Sequence, residues 1–214
     1  MIETLNRIKQ WVEENANQTL DHLNGPASSD DIKRVEEVIG IQLPDDFKEF
    51  LKIHDGEVGD GWLALLGNGN QLLSCNHIIK QYELDQQIGE DLYDPDMETI
   101  EFWKDRVGGN VIFVNGPVKP LMLHRKWIPL TCMNGDVFRY FDFDPAPGGI
   151  PGQIIEVDPE GCCYEVIATS FSKLLEKYLS ELQAGDYVVD EEGYIESKEE
   201  KRLDWGVPEW LKNA

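Results

Sequence analysis

Apolar residues recur at three- and four-residue steps in the first part of the chain. This spacing runs from Ile2 to Leu23 and predicts a long amphipathic helix that ends at Gly25-Pro26. The sequence Ser28-Ser29-Asp30-Asp31 has the form of a capping box, in which two residues satisfy each other's backbone N–H groups at a helix start. It predicts a second amphipathic helix, which Gly40 ends.

The stretch from Leu43 to Gly56 predicts a third, shorter helix with both ends specified by the sequence. Pro44 suits the first helical position, because its missing N–H would be unpaired there in any case. Phe47 and Phe50 fall on one face, so we expect both rings to be buried against a sheet. Gly56 is able to adopt the left-handed conformation that often caps a helix.

An apolar run of strand length follows this helix. We predict a strand at Trp62-Leu63-Ala64-Leu65-Leu66 and a turn at Gly67-Asn68-Gly69-Asn70, because glycine and asparagine tolerate a positive φ. Ser74 or Asn76 is the predicted cap of a further amphipathic helix. Residues 89–109 are acidic and aromatic, and we interpret them as an irregular, partly helical insertion.

The chain then has the alternation and the turn residues of antiparallel strands. Asn134-Gly135 is the strongest hairpin signal, because this pair favours the tight turn that joins two strands. Pro129 is expected at a sheet edge or a β-bulge, since it has no N–H for the ladder. From Phe141 to Asp144 aromatic and acidic residues alternate, which predicts one apolar face and one charged face. The predicted strands are 111–114, 121–123, 127–131, 137–144, 153–157 and 164–168.

The last predicted elements are a helix and a short ribbon. Ser170 is the expected cap of the helix and Gly185 its end, and residues 187–189 and 194–195 are expected to pair. Helices first, antiparallel strands next and a helix last predict an α+β fold. Its mainly antiparallel sheet is flanked by the N-terminal helices and by one C-terminal helix.

Composition restricts the class of protein further. The 214-residue chain is 41% hydrophobic and 28% charged, which is typical of a folded domain rather than of a disordered segment. No apolar run approaches the roughly 20 residues that span a bilayer. The first residues lack the build of a signal peptide, so we predict a cytoplasmic protein. No cysteines form a CxxC pair, and we expect buried, reduced thiols at Cys75, Cys132, Cys162 and Cys163.

The charge balance is strongly acidic. Asp and Glu number 41 against 19 Lys and Arg, which gives a formal net charge of −22. This balance argues against binding nucleic acid or an anionic membrane through a broad basic face. It is compatible with a basic protein partner, but on charge alone we favour the simpler interpretation that it serves solubility.

Asp136, Asp142 and Asp144 are the strongest candidates for chemistry. They lie near the predicted Asn-Gly hairpin, and carboxylates gathered in this way are able to hold Mg²⁺ or Ca²⁺. No calcium-loop spacing and no phosphate-binding glycine loop accompanies them. We therefore favour a solvated acidic face and predict neither a metal nor a cofactor.

Two other pairs of residues have side-chain types that occur together in catalytic sites. His54-Asp55 has the residue types of an acid–base pair, but adjacent residues near a helix end rarely face each other. Cys132 with His124 has the types of a nucleophile and its base, but nothing in their spacing supports that arrangement. The sequence therefore predicts no catalytic residues.

Two sets of residues resemble the signatures of the SUKH (SMI/KNR) superfamily. Leu43-Pro44-Asp45-Asp46-Phe47, with Phe50-Leu51 and Asp55-Gly56, is similar to the N-terminal signature. Residues similar to the second signature follow in the family's order: Trp127-Ile128-Pro129-Leu130, Asn134-Gly135-Asp136, Asp142 through Pro147, Gly149, Gly152-Gln153-Ile154-Ile155 and Ser170-Phe171. On this resemblance the domain covers residues 28–197, preceded by an N-terminal helix at 1–27 and followed by a tail at 198–214.

The resemblance implies helices packed on a mainly antiparallel sheet, and a function in binding rather than catalysis. The superfamily includes bacterial immunity proteins, which neutralise toxins in the cytoplasm, and a fungal regulator of cell-wall assembly that acts as an interaction hub. Our leading prediction is an immunity protein that covers a basic toxin domain. The alternatives are a regulatory scaffold with an endogenous partner and, third, a metal-dependent hydrolase that uses the three aspartates.

The expected partner-binding residues combine one aromatic anchor with carboxylates. Trp103 is the candidate anchor because it lies in the acidic insertion, and buried tryptophans often carry binding energy. Asp136, Asp142 and Asp144 are the expected acidic contacts. The oligomeric state is left open.

Overall fold

The structure is a computed structural model that describes residues 1–59, 61–92, 113–119, 121, 123–133, 135, 137–158 and 163–198. Five α-helices and eight strands are present in this part of the chain. The helices are α1 (Ile2–Asn15), α2 (Ser29–Ile39), α3 (Asp45–Leu51), α4 (Cys75–Leu92) and α5 (Phe171–Ala184). The strands are β1 (Gln71–Leu72), β2 (Phe113–Asn115), β3 (Trp127–Met133), β4 (Val137–Asp142), β5 (Gln153–Asp158), β6 (Cys163–Ala168), β7 (Tyr187–Val189) and β8 (Ile195–Ser197).

The first predicted helix is shorter than its apolar spacing suggests. It ends at Asn15, because Ala16 leaves the helical conformation with φ −146° and ψ 51°. A 3₁₀ helix at Asn17–His22 continues the chain, so the predicted single helix to residue 24 is wrong. Leu5, Ile8 and Val12 of α1 are nevertheless buried in the main core.

The predicted caps of α2 and α5 are confirmed. The Ser28 hydroxyl accepts a hydrogen bond from the N–H of Asp31 at 3.1 Å, and the Asp31 carboxylate accepts one from the N–H of Ser28 at 3.2 Å. In α5 the Ser170 hydroxyl accepts from the N–H of Lys173 at 3.2 Å. Gly185 ends α5 at φ +75°, a left-handed conformation that glycine adopts without steric cost.

Helix α3 carries the predicted aromatic core, although its ends differ by a few residues from the prediction. Pro44 is the cap and Asp45 the first helical residue. Phe47 and Phe50 are fully buried, and the Phe47 ring lies 5.0 Å from that of Phe141 in β4. Gly56 lies beyond the end of α3. It has φ +63°, and a Cβ there would stand 2.5 Å from the backbone of Leu73, so its role is close packing rather than capping.

A six-stranded sheet forms the centre of the fold, with the strand order β1-β3-β4-β5-β6-β2. Neighbouring strands are antiparallel except β2 and β6, which run parallel. The turn at Gly135 joins β3 to β4, as the Asn-Gly signal predicts. A bulge between Pro129 and Thr131 accommodates the proline inside the sheet, which confirms the second of its two predicted settings.

Two predicted strands are absent from the described residues. Residues 61–69 form turns rather than a strand, although Leu63 through Leu66 are buried. Leu121 and Leu123 are also outside any strand. The ribbon of β7 and β8 is confirmed, and it packs on the 61–69 turns, where the N–H of Asn68 donates to the carbonyl of Ile195 at 2.7 Å.

The two faces of the sheet have separate cores. The larger core lies between the helices and one face, and it includes Phe141 and Ile154. A smaller core on the other face contains Trp127, Tyr140 and Tyr164. Helices on a mostly antiparallel sheet confirm the predicted α+β class.

Candidate functional site

Strand pairing brings three signature residues into one row across the sheet. Trp127 opens β3 and is opposite Asp142, the last residue of β4. Asp142 is in turn opposite Gln153, the first residue of β5. Residues directly opposite each other on adjacent strands have side chains on the same face, so the indole, the carboxylate and the amide meet.

The Asp142 carboxylate is the centre of a buried hydrogen-bond network. Trp127 Nε1 donates to its Oδ1 at 3.2 Å and Gln153 Nε2 donates to its Oδ2 at 3.1 Å. The backbone N–H of Asp144 also donates to Oδ1, at 2.9 Å. Burial raises the pKa of Asp142, and these three donors oppose that rise.

The charged solvent face predicted at Asp142 is therefore wrong. The side chain is fully buried, because its own neighbours in β3 and β5 and the loop after β4 surround it. Buried polar groups are stable only when they are hydrogen-bonded, and Asp142 meets this condition internally. The Asp142 side chain is therefore not exposed at the surface of this structure.

Gln153 extends the network to two loops. Its Nε2 also donates to the carbonyl of Pro117 at 3.0 Å, and its Oε1 accepts from the N–H of Ile150 at 3.1 Å. The N–H of Gly152 donates to the Asp142 carbonyl at 2.7 Å. Both loops are hydrogen-bonded to the same buried cluster, so these bonds hold the ends of β4 and β5 in place at this corner of the sheet.

Asp144 lies just outside this network and is surrounded by two lysines and a histidine. Its Oδ2 is 2.8 Å from Lys119 Nζ and 3.1 Å from His124 Nε2, and its Oδ1 is 3.8 Å from Lys126 Nζ. The hydrogen bond from Lys119 is the main cause that lowers the pKa of Asp144. We call the two lysine cations, together with the His124 imidazole between them in sequence, the cation cluster.

The ring of His124 has a defined orientation in this cluster. Its Nδ1 accepts from the backbone N–H of Lys126 at 3.0 Å, so the proton resides on Nε2, which faces Asp144. The ring also lies 5.9 Å from that of Trp127. Both ring nitrogens are thus engaged, which leaves none to act as a base for Cys132.

The predicted site residues therefore have different outcomes. Trp103 and Asp136 lie outside the described residues, and their roles as contacts stay predictions. Asp142 and Asp144 do not form one exposed acidic face, since the first is buried and the second is ion-paired. Among the residues that the structure describes, no three His, Cys, Asp or Glu side chains are grouped so as to hold a metal ion.

His54 and Asp55 serve different contacts. His54 Nδ1 is 2.9 Å from the carbonyl of Asn24 and its Nε2 is 2.8 Å from Lys9 Nζ. Burial is the main cause that lowers the pKa of His54. Asp55 Oδ1 accepts from the N–H of Cys75 at the start of α4, at 2.7 Å. These contacts hold helices and loops together and form no acid–base pair.

Two buried carboxyl groups were missed by the sequence analysis. Glu57 is 1% exposed and accepts from the N–H groups of Leu65 and Leu72, both at 2.7 Å. Burial raises its pKa to about 7. No helical or strand periodicity in the sequence indicates that Glu57 is buried, because it lies outside the helices and the named strands.

Asp85 is the second buried carboxyl group, on the inward side of α4. It accepts from Gln81 Nε2 at 2.7 Å and from the Tyr140 hydroxyl at 3.3 Å. Burial raises its pKa to about 6. Its helical spacing from Ile78 and Tyr82, which face the core, is a signal that would have placed it there.

None of the helices in the described part of the chain has the length and apolar character needed to span a membrane.

Curated relatives of the chain come from fungi. It is 25% identical to the "Glucan synthesis regulatory protein" of Neurospora crassa, and the match covers 87% of this chain and 39% of the relative. It is 26% identical to the "Cell wall biosynthesis/cell cycle regulator smi1" of Schizosaccharomyces pombe, over 89% of this chain and 38% of the relative. It is 24% identical to the "Cell wall assembly regulator SMI1" of Saccharomyces cerevisiae, over 86% of this chain and 41% of the relative.

The chain thus spans about two fifths of the length of these relatives. The family profile described as "SMI1 / KNR4 family (SUKH-1)" matches residues 26–177. That range contains α2 through the middle of α5, the whole six-stranded sheet, the Asp142 network and the cation cluster. With a profile match over most of its length, the chain belongs to the SMI1 / KNR4 family (SUKH-1).

Proposed function

We propose that this chain is a non-enzymatic module that acts by binding another protein. The proposal rests on what the candidate catalytic side chains contact in the structure. The Asp142 oxygens, the His54 nitrogens and the His124 nitrogens are engaged by the protein's own donors, acceptors or charges. A catalytic group must instead be within reach of a substrate. The fold therefore uses these side chains to hold its own strands and loops together.

The names of the relatives favour a regulatory role with an endogenous partner. Those relatives are named as regulators of glucan synthesis and of cell wall assembly. On this reading the chain forms a regulatory domain that recruits or restrains components of such a system, in the cytoplasm. Fold resemblance alone does not carry function from one protein to another, so the partner has to be identified directly.

An immunity protein is the second candidate, and the charge balance favours it. A net charge of −22 speeds encounters with a basic toxin domain, because complementary fields raise association rates. The protein would then act by covering the toxin's active surface at equal stoichiometry.

Affinity capture of the tagged chain from a lysate of the source cell, followed by mass spectrometry, tests the proposal. We expect a partner that forms a complex of fixed stoichiometry when the two purified proteins are mixed and analysed by light scattering. A partner that is toxic to cells and loses this toxicity at equimolar ratio supports the immunity role. A partner without toxicity, whether the complex recruits it or restrains its activity, supports the regulatory role. Turnover of a substrate by catalytic amounts of the chain would contradict both.

A further inference from the structure

We infer that the cation cluster of Lys119, His124 and Lys126 is a docking site for an acidic segment of a partner protein. This inference rests on the proposed binding function and specifies the chemistry of one contact surface. It reverses the sign of the contact predicted at Asp144 from the sequence, where a carboxylate was expected to meet a basic partner.

Three donors converge on a single carboxylate at this position. Lys119 Nζ and His124 Nε2 both reach Asp144 Oδ2, at 2.8 and 3.1 Å, and Lys126 Nζ stands 3.8 Å from Oδ1. Among the described residues, the exposed charges here are two ammonium groups and one carboxylate, which leaves an excess of positive charge at the surface. The Asp142 carboxyl group beneath them is buried and covered by three donors of its own. Asp144 thus occupies the place that an incoming carboxylate would take or share.

The cluster is accessible to a partner. The side chain of Lys126 is 54% exposed and those of Lys119 and Asp144 are each 35% exposed. The bonds between them are therefore in contact with solvent, where an ion pair is worth little and is readily exchanged. An external carboxylate or phosphate is able to replace Asp144 without opening the core.

The backbone that carries these side chains is held by the buried network beneath it. Lys119 lies two residues after Pro117, whose carbonyl accepts from Gln153, and the Asp144 N–H donates to the buried Asp142. The His124 ring lies against Trp127, which donates to the same Asp142 carboxylate. A fixed backbone at the cluster lowers the entropy lost on binding.

The charge of the surrounding chain makes this cluster selective. Salt screens exposed charges beyond about 8 Å at physiological ionic strength, so contacts at the cluster depend on its local sign rather than on the net charge of −22. Long acidic molecules are still repelled by the rest of the surface. A short acidic stretch flanked by neutral or basic residues is therefore the best fit, because it is attracted to the cluster and is not repelled by the acidic surface around it.

Fluorescence anisotropy with a labelled glutamate-rich peptide tests the inference, beside the same sequence carrying phosphoserine and a glutamine version. We expect both anionic peptides to bind and the glutamine peptide not to bind. Stronger binding of the phosphoserine peptide would identify phosphate as the preferred anion, and equal binding a shared carboxylate site. Amide shifts of Gly116, Lys119 and Lys126 in NMR spectra should locate the contact.

Three variants separate this site from general electrostatics. Lys119→Gln/Lys126→Gln should weaken binding about fivefold or more, in line with the loss of two exposed ion pairs. Lys33→Gln/Lys173→Gln removes two exposed lysines that pair with Glu37 and Glu176, so it is the matched control and should leave binding unchanged. Asp144→Asn removes the competing carboxylate and should tighten binding about threefold.

Weaker binding by Asp144→Asn, or equal losses in the control and the double variant, would overturn the inference. Binding of the anionic peptides with shifts only at distant amides would do the same. These outcomes leave the proposed function intact, because a partner captured from lysate that still binds the double variant would simply use another surface.

Discussion

The change Glu57→Gln tests whether burial raises the pKa of the Glu57 carboxyl group and so makes the stability of the protein depend on pH. Its carboxylate is fully enclosed and bridges the N–H groups of Leu65 and Leu72, so it connects the 61–69 turns to β1. The change Glu57→Gln keeps the size of the side chain but removes its charge. It also replaces one acceptor oxygen with an amide nitrogen, which leaves one of the two backbone donors without a partner.

Two opposing free-energy contributions determine how much Glu57→Gln changes the stability of the folded protein. The unpaired buried donor costs about 1–3 kcal/mol at every pH. The wild-type side chain has a pKa of about 7 in place of its ordinary 4.5, and at about 1.4 kcal/mol per pH unit this makes its ionised form about 3 kcal/mol less favourable in the folded state. Glutamine removes that second term.

The sign follows from proton binding. Between pH 4.5 and pH 7 the folded protein holds a proton on Glu57 that the unfolded chain has lost, so the wild type loses stability as the pH rises. We expect Glu57→Gln to be less stable than the wild type at pH 4.5. The difference in the free energy of unfolding should shift by about 3 kcal/mol in favour of the variant by pH 8.

Urea unfolding of both proteins at several pH values measures this difference. The matched control is Glu37→Gln, whose side chain is 63% exposed, and its stability should follow the wild type across the whole range. Parallel stability curves for Glu57→Gln and the wild type would refute the reasoning, since they would mean that Glu57 does not titrate differently on folding.

Three further predictions concern the core, the network and metals. Phe50→Ala should lower the free energy of unfolding by about 3–5 kcal/mol, whereas Val38→Ala, at a 40% exposed position, should change it little in the same urea titration. Asp142→Asn should cost about 2–4 kcal/mol, because an amide group would face a buried donor, while Asp144→Asn should cost under about 1 kcal/mol. Calorimetry with Mg²⁺, Ca²⁺ and Zn²⁺ should reveal no tight stoichiometric site. A tight site abolished by Asp142→Asn would revive the hydrolase hypothesis.

Signals that act between near neighbours in sequence were sufficient to predict much of the fold. The capping box at Ser28, the cap at Ser170 and the glycines that end α2 and α5 all lie where local hydrogen bonding places them. The predicted hairpin is also present, since Gly135 lies between β3 and β4 and Met133 is opposite Val137. These interactions are complete within a few residues, so no knowledge of the tertiary structure is needed to predict them.

The prediction at 62–66 failed because an apolar run indicates burial rather than conformation. Leu65 and Leu66 are buried as expected, but the N–H of Leu65 finds its acceptor in the Glu57 side chain instead of in a neighbouring strand. The Glu57 carboxylate thus replaces the ladder that a strand would need. Glu57 is close in the sequence, but neither its residue type nor its spacing indicates that it is buried and accepts these hydrogen bonds.

The burial of Asp142 was not predicted, for a related reason. The alternation from Phe141 to Asp144 correctly separates two faces, since Phe141 and Asp142 belong to opposite sides of β4. Alternation does not reveal what covers each face. Asp142 is buried because Trp127 and Gln153 lie opposite it on the neighbouring strands, and that register is a property of the folded sheet.

The connectivity of the sheet also has a kinetic consequence. Strands β3, β4, β5 and β6 follow one another in both sequence and space, so each pairing closes a short loop and loses little chain entropy. Helix α1 instead packs on α5, near the other end of the described chain. Contacts between residues so far apart in sequence are expected to form after the meander, on the native side of the folding transition state. Truncating Ile8 of α1 should therefore accelerate unfolding and leave the folding rate nearly unchanged.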